Sequence, residues 1–303
     1  MTQRVVVTGA AGFVGGYLAR ALAGDGFDVI ATVRQSAPAG LPANVRVVAG
    51  DLQLPSFLPS RFDALVHCAA ETPSRCRDRE GLHDRNVAAA GAVFRHAASA
   101  GARAIVFMSS MSVYGRIVAP LVTEDLEPRD VDDYGTSKAE GERRLSAAVA
   151  AGLPSGLAIR LPGTVGHGSH DNFLSEALAA ARAGVPLTGR HPDALFNNIV
   201  FAGDLARFVS AWLAAPVPGY HVSNLASREP ISISAMYAEL FRHLELPQRI
   251  QYESTGKPPF LISLERAVSL GYQPATVKES IAAFVRDTLR AQPRTAGEAA
   301  PRD

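Results

Sequence analysis

The sequence predicts an α/β fold in which a doubly wound, parallel sheet is followed by a smaller C-terminal α/β lobe. Over about the first half of the chain, short β-branched runs alternate with alanine-rich stretches of helical periodicity, as in βαβ units. The β-branched runs are almost wholly apolar, as expected when helices cover both faces of a sheet. Beyond residue 160 the alternation loosens and Pro and Gly become frequent, which predicts the smaller lobe.

The predicted elements follow from these periodicities. In the first part, strands are predicted at residues 4–8, 27–33, 45–49, 64–67, 104–108 and 156–160, and helices at residues 15–23, 84–100 and 134–151. In the second part, helices are predicted at residues 173–183, 204–214, 233–244 and 277–290, with short strands near Ile199, Val222 and Ile250. Residues 291–303 lack periodicity and are predicted to form a flexible tail.

Composition and charge narrow the class of protein. The 303 residues, 47% of them hydrophobic and 19% charged, are typical of a globular chain with a substantial core. The 30 Lys and Arg balance the 29 Asp and Glu, so neither a nucleic acid nor a membrane is predicted as a partner. With no signal peptide and no long apolar run, a cytoplasmic location is predicted. Two cysteines, Cys68 and Cys76, lack disulfide and zinc-ligand patterns, so no metal site is predicted.

A glycine loop directly follows the first predicted strand and opens the first helix. Gly9 would permit the tight turn, Gly12 would let the backbone approach a pyrophosphate, and Gly15 would let the helix pack closely on the sheet. Phe13 and Val14 would then lie at the helix N-terminus, facing the phosphates. This context predicts a Rossmann-type domain that binds a dinucleotide coenzyme.

The end of the second strand bears on which coenzyme is bound. Arg34 stands where an NAD enzyme usually places an acidic residue, and a guanidinium pairs well with a 2′-phosphate. NADP is therefore predicted, with NAD as the alternative if Arg34 is only a solvated strand-end residue. After the third strand, Asp51 and Leu52 are predicted to contact the adenine, although Asp51 could equally cap a turn.

A third pattern suggests catalytic residues. An apolar strand runs into Ser110 and Ser112, and the carboxyl end of such a strand faces the ligand crevice in an open α/β sheet. Tyr134 and Lys138 follow at the start of a helix with i, i+4 spacing, which places both on one helix face. An isolated Tyr-x-x-x-Lys pair is most often a surface pair, so the prediction rests on its combination with the serine strand and the glycine loop.

This set of residues suits proton and hydride chemistry. A free tyrosine has a pKa near ~10, and a nearby ammonium together with an oxidised nicotinamide would lower it. Tyr134 would exchange a proton with the substrate oxygen while the nicotinamide exchanges hydride with the attached carbon. Ser110 would hold and polarise the same oxygen. Ser110, Tyr134 and Lys138 are therefore the predicted catalytic residues.

At this point the sequence resembles the extended short-chain dehydrogenase/reductases, which include NAD(P)-dependent sugar epimerases, dehydratases and ketoreductases. The resemblance runs from about residue 4 to about residue 275, through the glycines, the Asp51-Leu52 pair, the Ser-Tyr-Lys set and later blocks at residues 160–166, 198–206 and 270–274. It adds Cys68, Ala69, Ala70, Pro162 and Gly163 to the residues above as implied coenzyme contacts. The resemblance also implies a structural role for Asn86.

Two departures from the family pattern bear on the reaction. Met111 and Ser112 stand where the dehydratases carry an Asp-Glu pair, so dehydration is not expected. The block before Asp204 lacks the Arg that would reach a nucleotide-sugar phosphate, which keeps non-sugar ketones open as substrates.

The domain and substrate predictions complete the picture. Residues 1–165 are predicted to form the dinucleotide-binding domain, completed by about 198–224, and residues 166–197 and 225–290 the substrate lobe. The predicted substrate-binding residues are Glu71, Thr72, Ser112, Thr164 and Asn172. Asn172 could instead be a simple helix cap, and the others could be ordinary loop residues.

The predicted function is NAD(P)-dependent hydride transfer at a keto or hydroxyl carbon of a small molecule, by a nucleotide-sugar ketoreductase or epimerase. The alternatives are an NADPH-dependent reductase of non-sugar ketones and a non-catalytic dinucleotide-binding regulator. A homodimer is expected, because the resemblance implies pairing through the two long alanine-rich helices at residues 84–100 and 134–151.

Overall fold

The computed structural model describes residues 2–35, 40–76, 78–253, 256 and 258–290. The predicted tail, residues 291–303, lies outside this part of the chain. The strands within the described ranges are β1 (Arg4–Thr8), β2 (Asp28–Val33), β3 (Arg46–Ala49), β4 (Ala64–His67), β5 (Ala104–Ser110), β6 (Leu121–Val122), β7 (Ser155–Leu161), β8 (Gly163–Val165), β9 (Leu187–Arg190), β10 (Leu195–Phe196), β11 (Ile199–Phe201), β12 (Gly219–Asn224), β13 (Ile231–Ser232), β14 (Ile250–Glu253) and β15 (Leu261–Ile262).

The helices alternate with the strands of the first part and dominate the second. They are α1 (Phe13–Gly24), α2 (Leu82–Ser99), α3 (Asp133–Ala150), α4 (Phe173–Arg182), α5 (Ala202–Ala214), α6 (Ile233–Leu244), α7 (Glu265–Ser269) and α8 (Val277–Arg290). None of these helices is both long enough and apolar enough to cross a membrane, within the residues that the structure describes.

Seven strands form one parallel sheet in the order β12-β7-β5-β4-β1-β2-β3. The chain moves outward from β1 to β3, returns to β4 on the other side of β1, and then moves outward again to β12. The strand order therefore reverses between β1 and β4, which places a ligand crevice at the carboxyl ends of these strands. The predicted Rossmann-type doubly wound fold is confirmed.

Helices pack on both faces of this sheet. Val5 and Val7 of β1 point to the face covered by α1 and α5, and Val6 points to the face covered by α2 and α3; all three are fully buried. Because side chains alternate along a strand, a two-sided core requires apolar residues at every position. This requirement explains the uninterrupted apolar runs in the sequence.

The second lobe has its own core, made by α4, α6 and α8 around residues such as Leu174, Leu240 and Ile281. Strands β8 and β11 pair here outside the main sheet, and β9 pairs with β14. The short strands β6, β8, β9, β10, β13 and β15 and the short helix α7 were not predicted, since runs of two to five residues show no clear periodicity.

The predicted boundaries differ from the observed ones by two residues at most. β5 continues past residue 108 to Ser110 because its pairing with β7 continues to the Ser110–Leu161 register. α1 begins at Phe13 instead of Gly15, since the Gly16 amide already donates to the Gly12 carbonyl at 2.9 Å. Both differences bring functional candidates into regular structure.

A buried histidine at the end of β4 makes the stability of this sheet depend on pH. His67 lies against Thr8, with Nδ1 2.7 Å from the Thr8 hydroxyl, and burial lowers its pKa to about 3, helped by the charge of Lys138. The unfolded chain binds this proton near pH 6.5, whereas the folded chain does not, so stability is lost as the pH falls from 6.5 towards 3.

We therefore expect the pH dependence of the free energy of unfolding to be shallower in His67→Gln than in the wild-type protein. One proton corresponds to about 1.4 kcal/mol per pH unit between about pH 6 and 4. Urea unfolding at several pH values measures both slopes. Equal slopes in the two proteins would show that His67 does not contribute.

Candidate active site

The carboxyl ends of β1, β4, β5 and β7 open into a cavity of about 1000 Å³. A smaller cavity of about 240 Å³ adjoins it between the ends of β2 and β4 and shares part of its lining. Every predicted catalytic, coenzyme-binding and substrate-binding residue lines one of these two cavities. The structure thus brings together residues that are as far apart in sequence as Gly9 and Asn172.

The glycine loop fits a phosphate group because each glycine leaves room for backbone. Gly9 has a φ of +71°, and a Cβ there would come within 2.7 Å of the Ala69 backbone nitrogen. A Cβ on Gly15 would lie 2.3 Å from the Gly9 carbonyl oxygen, so only glycine permits this approach of helix and loop. The N-terminus of α1, at Phe13 and Val14, consequently faces the large cavity with free amides.

The small cavity has the composition of an adenosine site. Its lining combines Arg34, Asp51 and Leu52 with Ala69 and Ala70. Asp51 also accepts a hydrogen bond from the Gln53 amide at 2.9 Å, so the turn-capping role that the sequence left open is present. The residues present therefore fit a dinucleotide, with the adenosine in the small cavity and the nicotinamide in the large one.

Cys68 lies at the boundary of the two cavities as a neutral thiol. Burial raises its pKa to about 12, with an opposing effect from Lys138. A thiol with this pKa is not a nucleophile at neutral pH. Its part in the site is to line the crevice.

The predicted catalytic residues meet in the large cavity. Lys138 is buried, donates a hydrogen bond from Nζ to the Met108 carbonyl at 2.8 Å, and lies 5.7 Å from the centre of the Tyr134 ring. Ser110 ends β5 on the same side, where its hydroxyl accepts from the Ser112 amide and donates to the Ser112 hydroxyl, both at 3.1 Å. A phenol, an ammonium and two hydroxyls therefore share one wall of the cavity.

Removal from water controls the protonation states of Tyr134 and Lys138. Burial raises the pKa of Tyr134 to about 12, opposed by hydrogen bonding to Ser110 and reinforced by the charge of Asp132. Burial lowers the pKa of Lys138 to about 8, opposed by Cys68 and Glu142. The predicted lowering of the Tyr134 pKa is absent in the protein alone, because burial outweighs the hydrogen bond to Ser110. Near neutral pH, Tyr134 is a protonated phenol beside a protonated amine.

A buried polar network behind this wall was not predicted. Glu142 lies one helical turn beyond Lys138, accepts from Ser109 at 2.5 Å and forms a two-pronged ion pair with Arg160 at 3.0 and 2.7 Å. Arg160 also donates to the Tyr114 hydroxyl at 2.7 Å. The i+4 spacing of Lys138 and Glu142 was the available signal. The network fixes α3 against β5 and β7.

The loop after β4 supplies further cavity residues that were missed. Ser74, Arg75, Cys76 and Asp78 line the large cavity, as do Asp132, His170 and Asp171 on other elements. The Ser74 hydroxyl donates to the Asp171 carboxylate at 2.6 Å and so bridges two loops at the cavity mouth. In the sequence, only the polar residues that directly follow Ala69 and Ala70 indicated that this loop could line the cavity.

The predicted substrate residues occupy different settings. Thr72, Ser112 and Thr164 line the large cavity, whereas Glu71 lines both cavities and pairs with Arg34 at 3.0 Å. Asn172 caps α4, accepting from the Ser175 amide at 3.0 Å, and its amide group also donates to the carbonyls of Thr164 and His170, both at 3.2 Å. The capping role is therefore present, and both the oxygen and the NH2 group of the Asn172 side chain already have partners within the protein.

The parallel sheet, the glycine cradle and the phenol-ammonium pair define the class of nicotinamide-dependent oxidoreductases with a Rossmann fold. Residues 5–226 match the NAD dependent epimerase/dehydratase family, and the chain belongs to this family. The resemblance to the extended short-chain dehydrogenase/reductases is confirmed, and the protein is an enzyme of that type.

Known proteins of the family are similar to the chain over most of its length. 2′-Dehydrokanamycin reductase of Streptomyces kanamyceticus is 32% identical over 250 residues, which cover 81% of this chain and 68% of that protein. D-Erythronate dehydrogenase of Cupriavidus necator is 29% identical over 323 residues, covering 94% and 98%. The solved structure of MoeE5 in complex with UDP-glucose and NAD is 26% identical, has a TM-score of 0.78, and covers 95% of this chain and 99% of its own.

We expect Gly15→Ala to weaken dinucleotide binding at least about tenfold, because the new Cβ would displace α1 from the Gly9 carbonyl. Calorimetric titration with NAD+ and NADP+ measures this change. Gly24→Ala is the matched control, since a Cβ at this last residue of the same helix meets no atom within 4 Å. The prediction fails if the two variants bind alike.

Proposed function

We propose that the protein is an NAD(P)H-dependent reductase that converts a keto group of a polyhydroxylated, sugar-like compound, free or nucleotide-linked, to a hydroxyl. The observation that carries this proposal is the protonated Tyr134 phenol, in hydrogen-bonding reach of Ser110 and close to Lys138, inside the large cavity. A protonated phenol is the form that donates a proton, and reduction requires a donor.

Each residue of this wall has a definite task in reduction. A bound reduced nicotinamide would deliver hydride to the carbonyl carbon. Tyr134 donates its phenolic proton to the carbonyl oxygen, and the ammonium of Lys138 stabilises the phenolate that is left. Ser110 donates a hydrogen bond to the same oxygen and stabilises its developing negative charge. These steps use only the side chains of Ser110, Tyr134 and Lys138 and the bound nicotinamide.

The polar side of the large cavity supports a substrate rich in hydroxyl groups. Hydroxyls of Thr72, Ser74 and Ser112 and carboxylates of Asp132 and Asp171 line it. Such groups exchange hydrogen bonds with the hydroxyls of a polyhydroxylated compound, which a purely apolar ketone does not offer. The similarity to a reductase and a dehydrogenase that are named for polyhydroxylated compounds supports the same substrate class.

NADPH is the proposed coenzyme, with NADH as the alternative. Arg34 lies in the lining of the small cavity and is highly exposed, so its guanidinium can exchange the ion pair with Glu71 for one with a 2′-phosphate. The similarity to MoeE5 in its complex with NAD supports the alternative.

An epimerase is the second candidate, favoured by the match of residues 5–226 to the NAD dependent epimerase/dehydratase family. An epimerase keeps its coenzyme through an oxidation and a reduction, whereas a reductase releases it in every turnover. The fluorescence of the purified protein after dialysis separates the two. Tightly retained dinucleotide would overturn the reductase proposal in favour of the epimerase.

We also propose a homodimer in which α2 and α3 pair with their copies. The two helices pack against each other, and the groove between them is lined largely by small residues, among them Gly91, Ala98, Ala147 and Ala151. Small side chains permit close helix packing. Sedimentation of the purified protein measures its oligomeric state.

The proposed reaction is tested by a screen of nucleotide-linked keto sugars, free keto sugars and simple ketones with NADPH and NADH. We expect turnover with a keto sugar, and Tyr134→Phe should lower kcat by roughly 10² to 10⁴ while retaining coenzyme binding. Tyr252→Phe, in a more exposed part of the second lobe, should keep wild-type turnover. Wild-type turnover in Tyr134→Phe would refute the mechanism, and turnover of simple ketones alone would refute the substrate class.

The rate should also depend on the charge of Lys138. Its pKa of about 8 means that the ammonium form dominates below pH 8 and is lost above it. We expect kcat/KM for the coenzyme, which reports the free enzyme, to fall above about pH 8. Lys138→Met should have a low kcat/KM that does not fall further above pH 8. Lys278→Met, at an exposed position, should keep the wild-type dependence of kcat/KM on pH. A wild-type profile that stays flat to pH 10 would contradict this assignment.

A further inference from the structure

Glu71 is held in a fixed position at the edge of the small cavity. Its backbone amide donates to the Asn86 side chain at 2.8 Å, and the Asn86 amide group donates back to the Glu71 carbonyl at 3.0 Å. Asn86 is itself buried and also donates to the Ser137 hydroxyl at 3.2 Å. The reciprocal pair of bonds determines where the chain leaves β4 and where the Glu71 carboxylate points.

The Glu71 carboxylate lies between two guanidinium groups. One oxygen accepts from Arg34 at 3.0 Å, and the other accepts from Arg85 at 2.8 Å. These hydrogen bonds, opposed by burial, keep the pKa of Glu71 below its usual range, so it is charged at neutral pH. All three side chains line the small cavity.

The two arginines differ in how firmly they are held. Arg85 also donates to the backbone carbonyls of Asp78 at 2.7 Å and Glu80 at 2.9 Å, which fixes its guanidinium on the loop. The Arg34 side chain is 77% exposed and has only the carboxylate of Glu71 as a partner among the described residues. An exposed ion pair of this kind contributes little, so Arg34 exchanges partners easily.

Arg34 and Glu71 favour opposite coenzymes. A guanidinium pairs with a 2′-phosphate, whereas a carboxylate repels that phosphate and accepts hydrogen bonds from ribose hydroxyls. In the lining of the small cavity, Glu71 follows the end of β4, whereas Arg34 follows the end of β2. A phosphate held by Arg34 must lie close to the charge of Glu71, since the two side chains are already in contact.

We propose that Glu71 sets the coenzyme preference by occupying Arg34 and by placing a negative charge beside the 2′-position. The inference rests on the proposed dinucleotide site and adds a residue that decides between NAD and NADP there. Wild-type discrimination between the two is then weak, because the attraction of Arg34 and the repulsion of Glu71 oppose each other.

The test is calorimetric binding of NAD+ and NADP+ to the whole protein, which needs no substrate. We expect Kd values within about tenfold of each other in the wild type, and Glu71→Gln should shift the ratio towards NADP+ by about tenfold or more. Arg34→Met should shift it in the opposite direction, chiefly by weakening NADP+ binding. In the background of Arg34→Met, Glu71→Gln should have a smaller effect, because the two residues act on each other.

Matched controls separate this effect from loss of structure. Glu140→Gln removes a carboxylate that also lies between two arginines, Arg143 and Arg144, on the surface of α3, and it should leave the ratio unchanged. Thermal unfolding shows whether Glu71→Gln still folds; Arg34→Met changes an exposed side chain and tests the pair independently.

The outcomes distinguish the inference from the proposed function. An unchanged ratio in both Glu71→Gln and Arg34→Met overturns the inference while the dinucleotide site stands. A shift of Glu71→Gln towards NAD+ also overturns it. Failure of the wild-type protein to bind either dinucleotide overturns the proposed function itself, and with it the inference.

Discussion

The ion pair between Glu142 and Arg160 is the interaction on which the candidate site depends. It joins the middle of α3 to β7 across the end of β5, with Ser109 and Tyr114 as further partners. Both charges are largely removed from water, so removing one partner would leave the other uncompensated. Because Glu142 lies on α3 one turn beyond Lys138, the same contact determines how the start of that helix faces the crevice.

Burial then gives the site its chemical character. The same loss of water that keeps Tyr134 protonated makes Lys138 easier to deprotonate, so one cause moves the two pKa values apart, that of Tyr134 upward and that of Lys138 downward. The protein alone therefore holds the phenol in its donor form.

Much of this arrangement could be predicted from sequence, because it depends on local spacing. The glycine loop and the Tyr134–Lys138 pair each lie within one short segment, and Ser110 follows from the rule that parallel strands end at the crevice. The pairing of Arg34 with Glu71 could not be predicted, since it depends on the path of the loop after β4. The rise in the pKa of Tyr134 could not be predicted for a related reason. It depends on how far packing removes the side chain from water, and sequence spacing does not show this.

The ring of Phe107 links the candidate site to the packing of α3 on the sheet. A Cβ on Gly141 would lie 2.5 Å from this ring, and the Lys138 ammonium sits 4.9 Å from its centre, while His67 stacks on it at 5.7 Å. One aromatic ring thus serves as spacer for a helix and as neighbour of a catalytic candidate. Position 141 lines neither cavity, yet any side chain there would displace the ring that lies against the Lys138 ammonium.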